Sequence, residues 1–354
     1  MKKLKSNAKF NLEEILKNRV TKNKITRKAA DEILSRIQFV SSIIKFENCF
    51  IVIEAIVEQL EIKQKLFSEI ENIVSPACVL ATNTSSLSIT SIASACKKPE
   101  RFIGIHFFNP APVMPLVEII PAINTDPTVV EFSKKLLEVW GKVTVLVKDS
   151  PGFIVNRLAR PFYGESIRIY EEGIADFATI DWAMKMAGGF KMGPFELMDF
   201  VGNDINYKVT ESVWTQFFYE PRYKPSLTQK KYFDAKWFGR KSGRGYYDYS
   251  EGAIIPKPIE NEELGNLIFN RVIALMINEA IDSFYLKLAS KNDLDLAMIK
   301  GVNYPKGLLK WGDDIGLKNV LETLQNLFEI YGEERYRPCI LLKSMVKGNN
   351  KFYS

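Results

Sequence analysis

Residues 101–120 read RFIGIHFFNPAPVMPLVEII. Two near-continuous apolar runs of strand length flank a proline-broken loop. Each run carries one polar residue that an apolar strand would not need, His106 in the first and Glu118 in the second. Similar runs stand at RIQFV, CFIVIE and CVLATN upstream and at KVTVLV downstream, separated by helical stretches such as EQLEIKQKLFSEIENIV and DPTVVEFSKKLLEVWG. Strands that stay apolar on both faces and alternate with helices predict a mostly parallel α/β sheet over residues 1–149. Ahead of the strands, residues 9–36 carry apolar side chains at helical spacing and predict two short helices joined near Thr21–Thr26.

The pattern changes at KDSPGFIVNR, beyond which the periodicity is helical almost to the end. This helical region repeats. NRLARPFYGESIRIYEEGIADFATIDWAMKMAGGFKMGPFELMD, from Asn156, aligns with NRVIALMINEAIDSFYLKLASKNDLDLAMIKGVNYPKGLLKWGDD, from Asn270, at an offset of about 114 residues. Asn156 matches Asn270, Glu165 matches Glu279, Asp181 matches Asp295 and Gly193 matches Gly307. A duplication of this kind predicts three units, 1–149, 150–250 and 251–354, the last two being related all-α domains that pack as pseudo-symmetric halves.

With 354 residues, 46% of them hydrophobic and 25% charged, the chain can bury a large core. No apolar run approaches the roughly 18 residues of a membrane span, and the N-terminus has basic residues without the apolar stretch of a signal peptide. A cytoplasmic protein without a membrane partner is the expectation. Four cysteines without any CxxC spacing suggest reduced thiols and no metal site. The net charge of +6 gathers at the N-terminus (Lys2, Lys3, Lys5, Lys9, Lys17, Arg19, Lys22, Lys24, Arg27, Lys28), at spacing that suits a solvated helix face. No zinc-finger or RNA-binding signature accompanies it, so no nucleic-acid partner is expected.

His106 is the only histidine, so any imidazole-based proton transfer must use it. It ends a strand, where α/β sheets bind ligands, although a lone histidine is more often structural. Glu118 lies between Val117 and Ile119 and needs either a partner or water at a sheet edge. An imidazole would serve, since a buried carboxylate on one ring nitrogen fixes the tautomer and leaves the other free for substrate. Ser85, between a strand and a helix, reads as a helix cap or a ligand contact. Asn156 can donate to a substrate oxygen or pin the domain junction. Glu58 and Lys63, just past the CFIVIE strand, can face a cofactor or form a surface salt bridge. Lys241, in the glycine-punctuated turn GRKSGRGYY, can reach a phosphate or sit in a plain turn.

Taken together and in order, ATNTSSLSIT, RFIGIHFFNPAPVMPLVEII, VKDSPGFIVNR, MGPFELMD and WFGRKSGRGYYDY resemble the 3-hydroxyacyl-CoA (3-hydroxybutyryl-CoA) dehydrogenase family over residues 13–250. The second helical unit resembles the duplicated C-terminal domain of longer members, including those acting on 3-hydroxyadipyl-CoA. The resemblance implies reversible, NAD-dependent oxidation of an L-3-hydroxyacyl-CoA to the 3-ketoacyl-CoA. It implies His106 as catalytic acid and base, Glu118 as its orienting partner, and Ser85 and Asn156 as holders of the C3 oxygen. Glu58, Lys63, Ser85, Asn109 and Lys241 fall on cofactor-contacting positions. An acyl-CoA substrate and a homodimer through the helical domains are the implied partners.

One departure stands out. Family members open with a strand, a GxGxxG turn, a helix and a second strand, whereas the first glycine here is Gly104. The resemblance therefore implies an incomplete Rossmann-like sheet lacking its first βαβ unit, about fifty residues. RIQFV is then expected to have no strand partner and CFIVIE to form an apolar edge. The alternative function is an inactive remnant that binds acyl-CoA or a sister subunit. In-frame DNA upstream encoding a GxGxxG segment would argue against it.

Overall fold

A computed structural model describes the backbone of residues 2–353 and the side chains of 8–353; the side chains of Lys2, Lys3 and Lys5 lie outside the described residues. The chain opens with a helical hairpin, α1 (Lys2–Thr21) and α2 (Arg27–Ser35), which buries Leu16 and Ala30 and is capped where the Thr26 hydroxyl accepts from Ala29 N–H. A five-stranded sheet follows in the order β1 (Ile51–Glu54), β2 (Val79–Thr82), β3 (Phe102–Phe107), β4 (Leu116–Pro121), β5 (Val143–Leu146). Helices α3 (Leu60–Glu71), α4 (Ile89–Ala93) and α5 (Pro127–Val139) connect them. All pairings are parallel except β3 with β4, so the sheet is mixed at that one seam.

RIQFV does not form a strand. Residues 37–40 are irregular, and Ile37 is exposed. A strand exists only through ladder bonds to a neighbour, and β1, the nearest one, bonds β2 alone. The free side of β1 is an edge, flanked by exposed Phe50, Ile56 and Val57.

The central strands are apolar throughout because both faces are covered. Val79, Ala81, Ile103, Ile105, Val117 and Ile119 pack on one side with Leu137 of α5. Leu80, Phe102, Leu116 and Ile120 pack on the other, in the core shared with the helical region. Side chains alternate along a strand, so His106 shares the helix-side face with Phe102, and Glu118 shares it with Leu116 and Ile120. Gly104 lies between Phe102 and His106. A Cβ there would stand 2.6 Å from Ile89 Cδ1 and 3.0 Å from Ile120 Cβ, so only glycine lets α4 and β4 approach β3 this closely.

The helical region comprises α6 (Val155–Leu158), α7 (Arg160–Glu171), α8 (Phe177–Gly188), α9 (Pro194–Val201), α10 (Asn203–Gln216) and α11 (Leu227–Asp234), then α12 (Glu262–Tyr285), α13 (Lys291–Gly301), α14 (Leu308–Ile315), α15 (Leu317–Tyr331) and α16 (Ile340–Lys347). The repeat seen in the sequence has matching bonds. Asp181 accepts from the N–H groups of Phe195 and Glu196, and Asp295 accepts from those of Leu309 and Lys310. Across the contact, Arg157 of the first copy pairs with Glu279 of the second at 2.6 Å, and Arg271 of the second pairs with Glu165 of the first at 2.6 Å. Tyr223 and Tyr336 add their hydroxyls to Glu279 and Glu165 respectively. By length and composition α12 could cross a membrane, but most of it is buried as the central helix of this region.

Candidate active site

His106 and Glu118 are direct partners across the antiparallel seam, which puts both side chains on the helix-side face. Their contact is Nδ1 to Oε2 at 2.7 Å. Glu118 is fully buried and β4 is an interior strand, so it does not point to water at a sheet edge. Its other oxygen, Oε1, accepts from the backbone N–H groups of Ile154 and Val155, both at 3.0 Å. These two donors exist because SPGFIV turns sharply before α6. Gly152 and Phe153 both hold positive φ, 75° and 46°, and the helix starts only at Val155, leaving its first N–H groups unbonded within the helix. A carboxylate acts only as acceptor, so Nδ1 must donate and Nε2 is left to exchange a proton. Phe108 and Phe153 flank the imidazole, with ring centroids at 4.6 and 5.7 Å, and shield it from water.

The second cluster sits beyond the C-terminal ends of the parallel strands, where such sheets gather ligands. Glu58 and Ser85 follow β1 and β2, whereas Asn109, just past β3, lines a separate cavity with Met114, Phe162 and Tyr304. Oε1 of Glu58 accepts from the hydroxyls of Thr84, Ser85 and Ser86 and from the N–H groups of Ser85 and Ser86. Burial pushes the Glu58 pKa up, but the bond from Thr84, the charge of Lys63 and the serine donors outweigh it and hold the carboxyl below its ordinary range. Lys63 is not a surface residue. Its ammonium is enclosed, 2.6 Å from Glu54 and 3.4 Å from Glu58, so it positions Glu58 and presents no open face.

Asn156 Nδ2 reaches the carbonyl of Ser85 at 3.5 Å and joins the helical region to the loop after β2. Ser85 is not the cap of α4; Ser88 fills that role and accepts from Ser91 N–H. Lys241 is not brought to this cluster. It pairs with Asp204 at the start of α10 and is half exposed. Sequence reasoning passed over Glu54, which accepts from Lys63, Thr82 and Ile56 N–H, and Asn83, which accepts from Phe107 N–H. A carboxylate closing the apolar run CFIVIE was the signal available for Glu54.

The residues present fit one end of a dinucleotide. The two clusters are joined at the domain junction, where Val155 N–H binds the His106 partner Glu118 and the next residue, Asn156, reaches the carbonyl of Ser85. Among the described residues, the first glycine, Gly104, is buried inside β3 and packs against α4 and β4, so the residues that face a cofactor do so with side chains and not with a glycine-rich turn.

Residues 2–150 match the family model of the 3-hydroxyacyl-CoA dehydrogenase NAD-binding domain, and residues 152–249 and 267–351 each match that of the C-terminal domain. The chain belongs to the 3-hydroxyacyl-CoA dehydrogenase family. Its members are NAD-dependent oxidoreductases, as the site's resemblance implied. The chain is similar to the 3-hydroxyadipyl-CoA dehydrogenase of Escherichia coli (strain K12), 36% identical over 93% of this chain and 87% of that protein. It is also similar to a 3-hydroxybutyryl-CoA dehydrogenase of Bradyrhizobium diazoefficiens, 40% identical over 68% and 82%. The crystal structure of the 3-hydroxybutyryl-CoA dehydrogenase of Escherichia coli K12 superposes with a TM-score of 0.90 at 34% identity, covering 97% of this chain and 90% of that one.

Proposed function

We propose that this member of the family oxidises the hydroxyl of an L-3-hydroxyacyl-CoA, with His106 as the acid and base that moves the hydroxyl proton. The observation that carries the assignment is the buried His106–Glu118 pair with its two backbone donors. In the oxidative direction Nε2 of His106 takes the C3 hydroxyl proton, and Glu118 stabilises the imidazolium through Nδ1. In reduction the same nitrogen returns that proton. NAD, when bound, supplies the hydride acceptor at C3. Asn156 and Ser85 face the substrate from opposite sides of the junction and hold its oxygen. Glu58, set by Lys63, lines the cofactor side, and Asn109 and Lys241 are left out of this assignment.

The units 1–149, 150–250 and 251–354 suit this division of labour, with sheet and first helical copy meeting at the site. A homodimer through the helical regions, which the family resemblance implies, would have to use a face other than that between α7 and α12, because the reciprocal Arg–Glu pairs already fill it. A cytoplasmic location agrees with four cysteines that are all free. The test is NADH oxidation by the purified chain with acetoacetyl-CoA. Turnover that His106→Ala abolishes supports the assignment. A folded chain that binds acyl-CoA without turnover returns attention to the inactive-remnant alternative.

A further inference from the structure

The hydrogen bonds that hold the His106–Glu118 pair come from the sheet and the first helical copy. One helix of the second copy nevertheless reaches them. α13 packs on β4, β5 and α6, whereas its match in the first copy, α8, packs on α7, α9 and α12. The last residue of α13 is Gly301, which is buried. A Cβ there would stand 2.6 Å from Leu116 Cδ2, 3.0 Å from Val155 Cγ2 and 3.7 Å from Phe108 Cζ. Gly301 is not among the glycines with positive φ, so its backbone would accept another residue. Glycine also weakens a helix relative to alanine. Space is therefore the reason for glycine here. The repeat aligns Gly301 with Ala187, which is only partly buried on α8. A methyl group stands at this place in one copy and is excluded from it in the other.

The three residues that Gly301 faces all adjoin the pair. Val155 donates its N–H to Glu118 Oε1 at 3.0 Å. Leu116 lies on β4 on the same face as Glu118 and is fully buried. The Phe108 ring lies 4.6 Å from the imidazole of His106. The helix that carries Val155, α6, has only four residues, too few to hold its own start in place. Its position must come from what packs on it. Val155 is β-branched and stiff at χ1, so a push on its Cγ2 passes to its backbone. A close-packed interior leaves Leu116 no empty space to move into.

We propose that Gly301 is a positioning residue of the active site: the end of α13 is the seat on which Val155, Leu116 and Phe108 rest, and through them it fixes the bond between Glu118 and His106. The proposal rests on the dehydrogenase reading above and assigns the second helical copy a part in it. Gly301 touches neither substrate nor cofactor in this account. It acts through the backbone of Val155, which holds one oxygen of Glu118, and through the ring that packs on His106. A shift of α13 away from β4 would move the Val155 N–H and loosen the carboxylate that sets the imidazole tautomer.

The test is nuclear magnetic resonance of the full chain grown with isotope-labelled histidine, read beside steady-state kinetics with acetoacetyl-CoA and NADH. His106 is the only histidine, so its ring gives one set of signals, and the low-field Nδ1 proton reports the bond to Glu118. Gly301→Ala should displace or broaden that proton signal and lower kcat about tenfold or more, with KM for acetoacetyl-CoA within about twofold of wild type. Gly307→Ala is the control, because it strains α13 at Asp295, on the α14 side, and should leave the signal and kcat as in wild type. If Gly301→Ala does not fold, Val155→Ala decides: it removes the methyl nearest Gly301, keeps the N–H on Glu118, and should move the same signal. An unmoved signal with wild-type kcat in whichever variant folds overturns the proposal, and so does an equal change in Gly307→Ala. Absence of turnover in wild type overturns the dehydrogenase reading, and the proton signal of the variant still decides the seat.

Discussion

The two helical copies share a core but differ where each begins. In the second copy α12 runs unbroken from Glu262 to Tyr285, so the N–H groups of Ile268 and Phe269, which match Ile154 and Val155, are well inside a helix. In the first copy Pro151, Gly152 and Phe153 delay the helix to Val155, and the freed N–H groups of Ile154 and Val155 bind Glu118. Asn156 then faces Ser85 across the junction, whereas Asn270 is exposed on the second copy. A helix start placed against a sheet is an anion site, and a helix interior is not. The duplication thus kept two Asp–N–H clasps and two Arg–Glu pairs, while only the copy with the broken start holds the proposed catalytic carboxylate.

What the copies share can be broken most severely at their contact. Arg157→Met leaves Glu279 buried beside only Tyr223 and Arg222, and should cost about 3–5 kcal/mol in denaturant unfolding. Glu165→Gln, at the matching pair, should destabilise in the same sense. A much smaller loss at one pair than at the other would show that the contact is not a working pseudo-twofold.

Equivalence of the clasps is tested more gently. A Cβ at Gly193 would stand 2.3 Å from Asp181 Cα, and one at Gly307 would stand 2.2 Å from Asp295 Cβ. Gly193→Ala and Gly307→Ala should each lower stability by about 1–3 kcal/mol. Only Gly193→Ala, in the copy that carries the site, should also reduce turnover. Equal loss of activity from both would blur the distinction drawn between the copies.

The smallest effect concerns the sheet side. Glu58 has a folded pKa below its ordinary value, so its stabilising contribution is present above the ordinary carboxylate range and is lost as pH falls through the lowered pKa. The melting-temperature gap between wild type and Glu58→Gln should therefore be widest near neutral pH and close on acidification. A gap independent of pH would contradict the charged role given to Glu58.

Much of this was legible in the sequence, and the failures have physical causes. Continuous apolar runs marked the central strands because both faces are covered, and the repeat spacing marked the two helical copies. RIQFV is strand-like in composition yet forms no strand, because strand propensity cannot supply a neighbour, and the expectation that it has no strand partner holds. His106 and Glu118 were legible as anomalies, but their pairing needed the antiparallel register of β3 and β4, which no local pattern encodes. Lys63 reads in the sequence as a cofactor contact or a surface salt bridge, and its burial follows from the carboxylates of Glu54 and Glu58 that pack over it.

The central claim is that the broken helix start serves catalysis by holding Glu118 against His106. Glu118→Gln tests it most directly, because the amide keeps the size of the side chain, can still accept from Ile154 and Val155, and presents a donor to Nδ1. Steady-state kinetics with acetoacetyl-CoA and NADH should show kcat lowered by about 10²–10⁴ with the melting temperature little changed, as expected for a wrong tautomer in an intact fold. Turnover within a few-fold of wild type would contradict the account and leave the Glu118 pair as a structural contact alone.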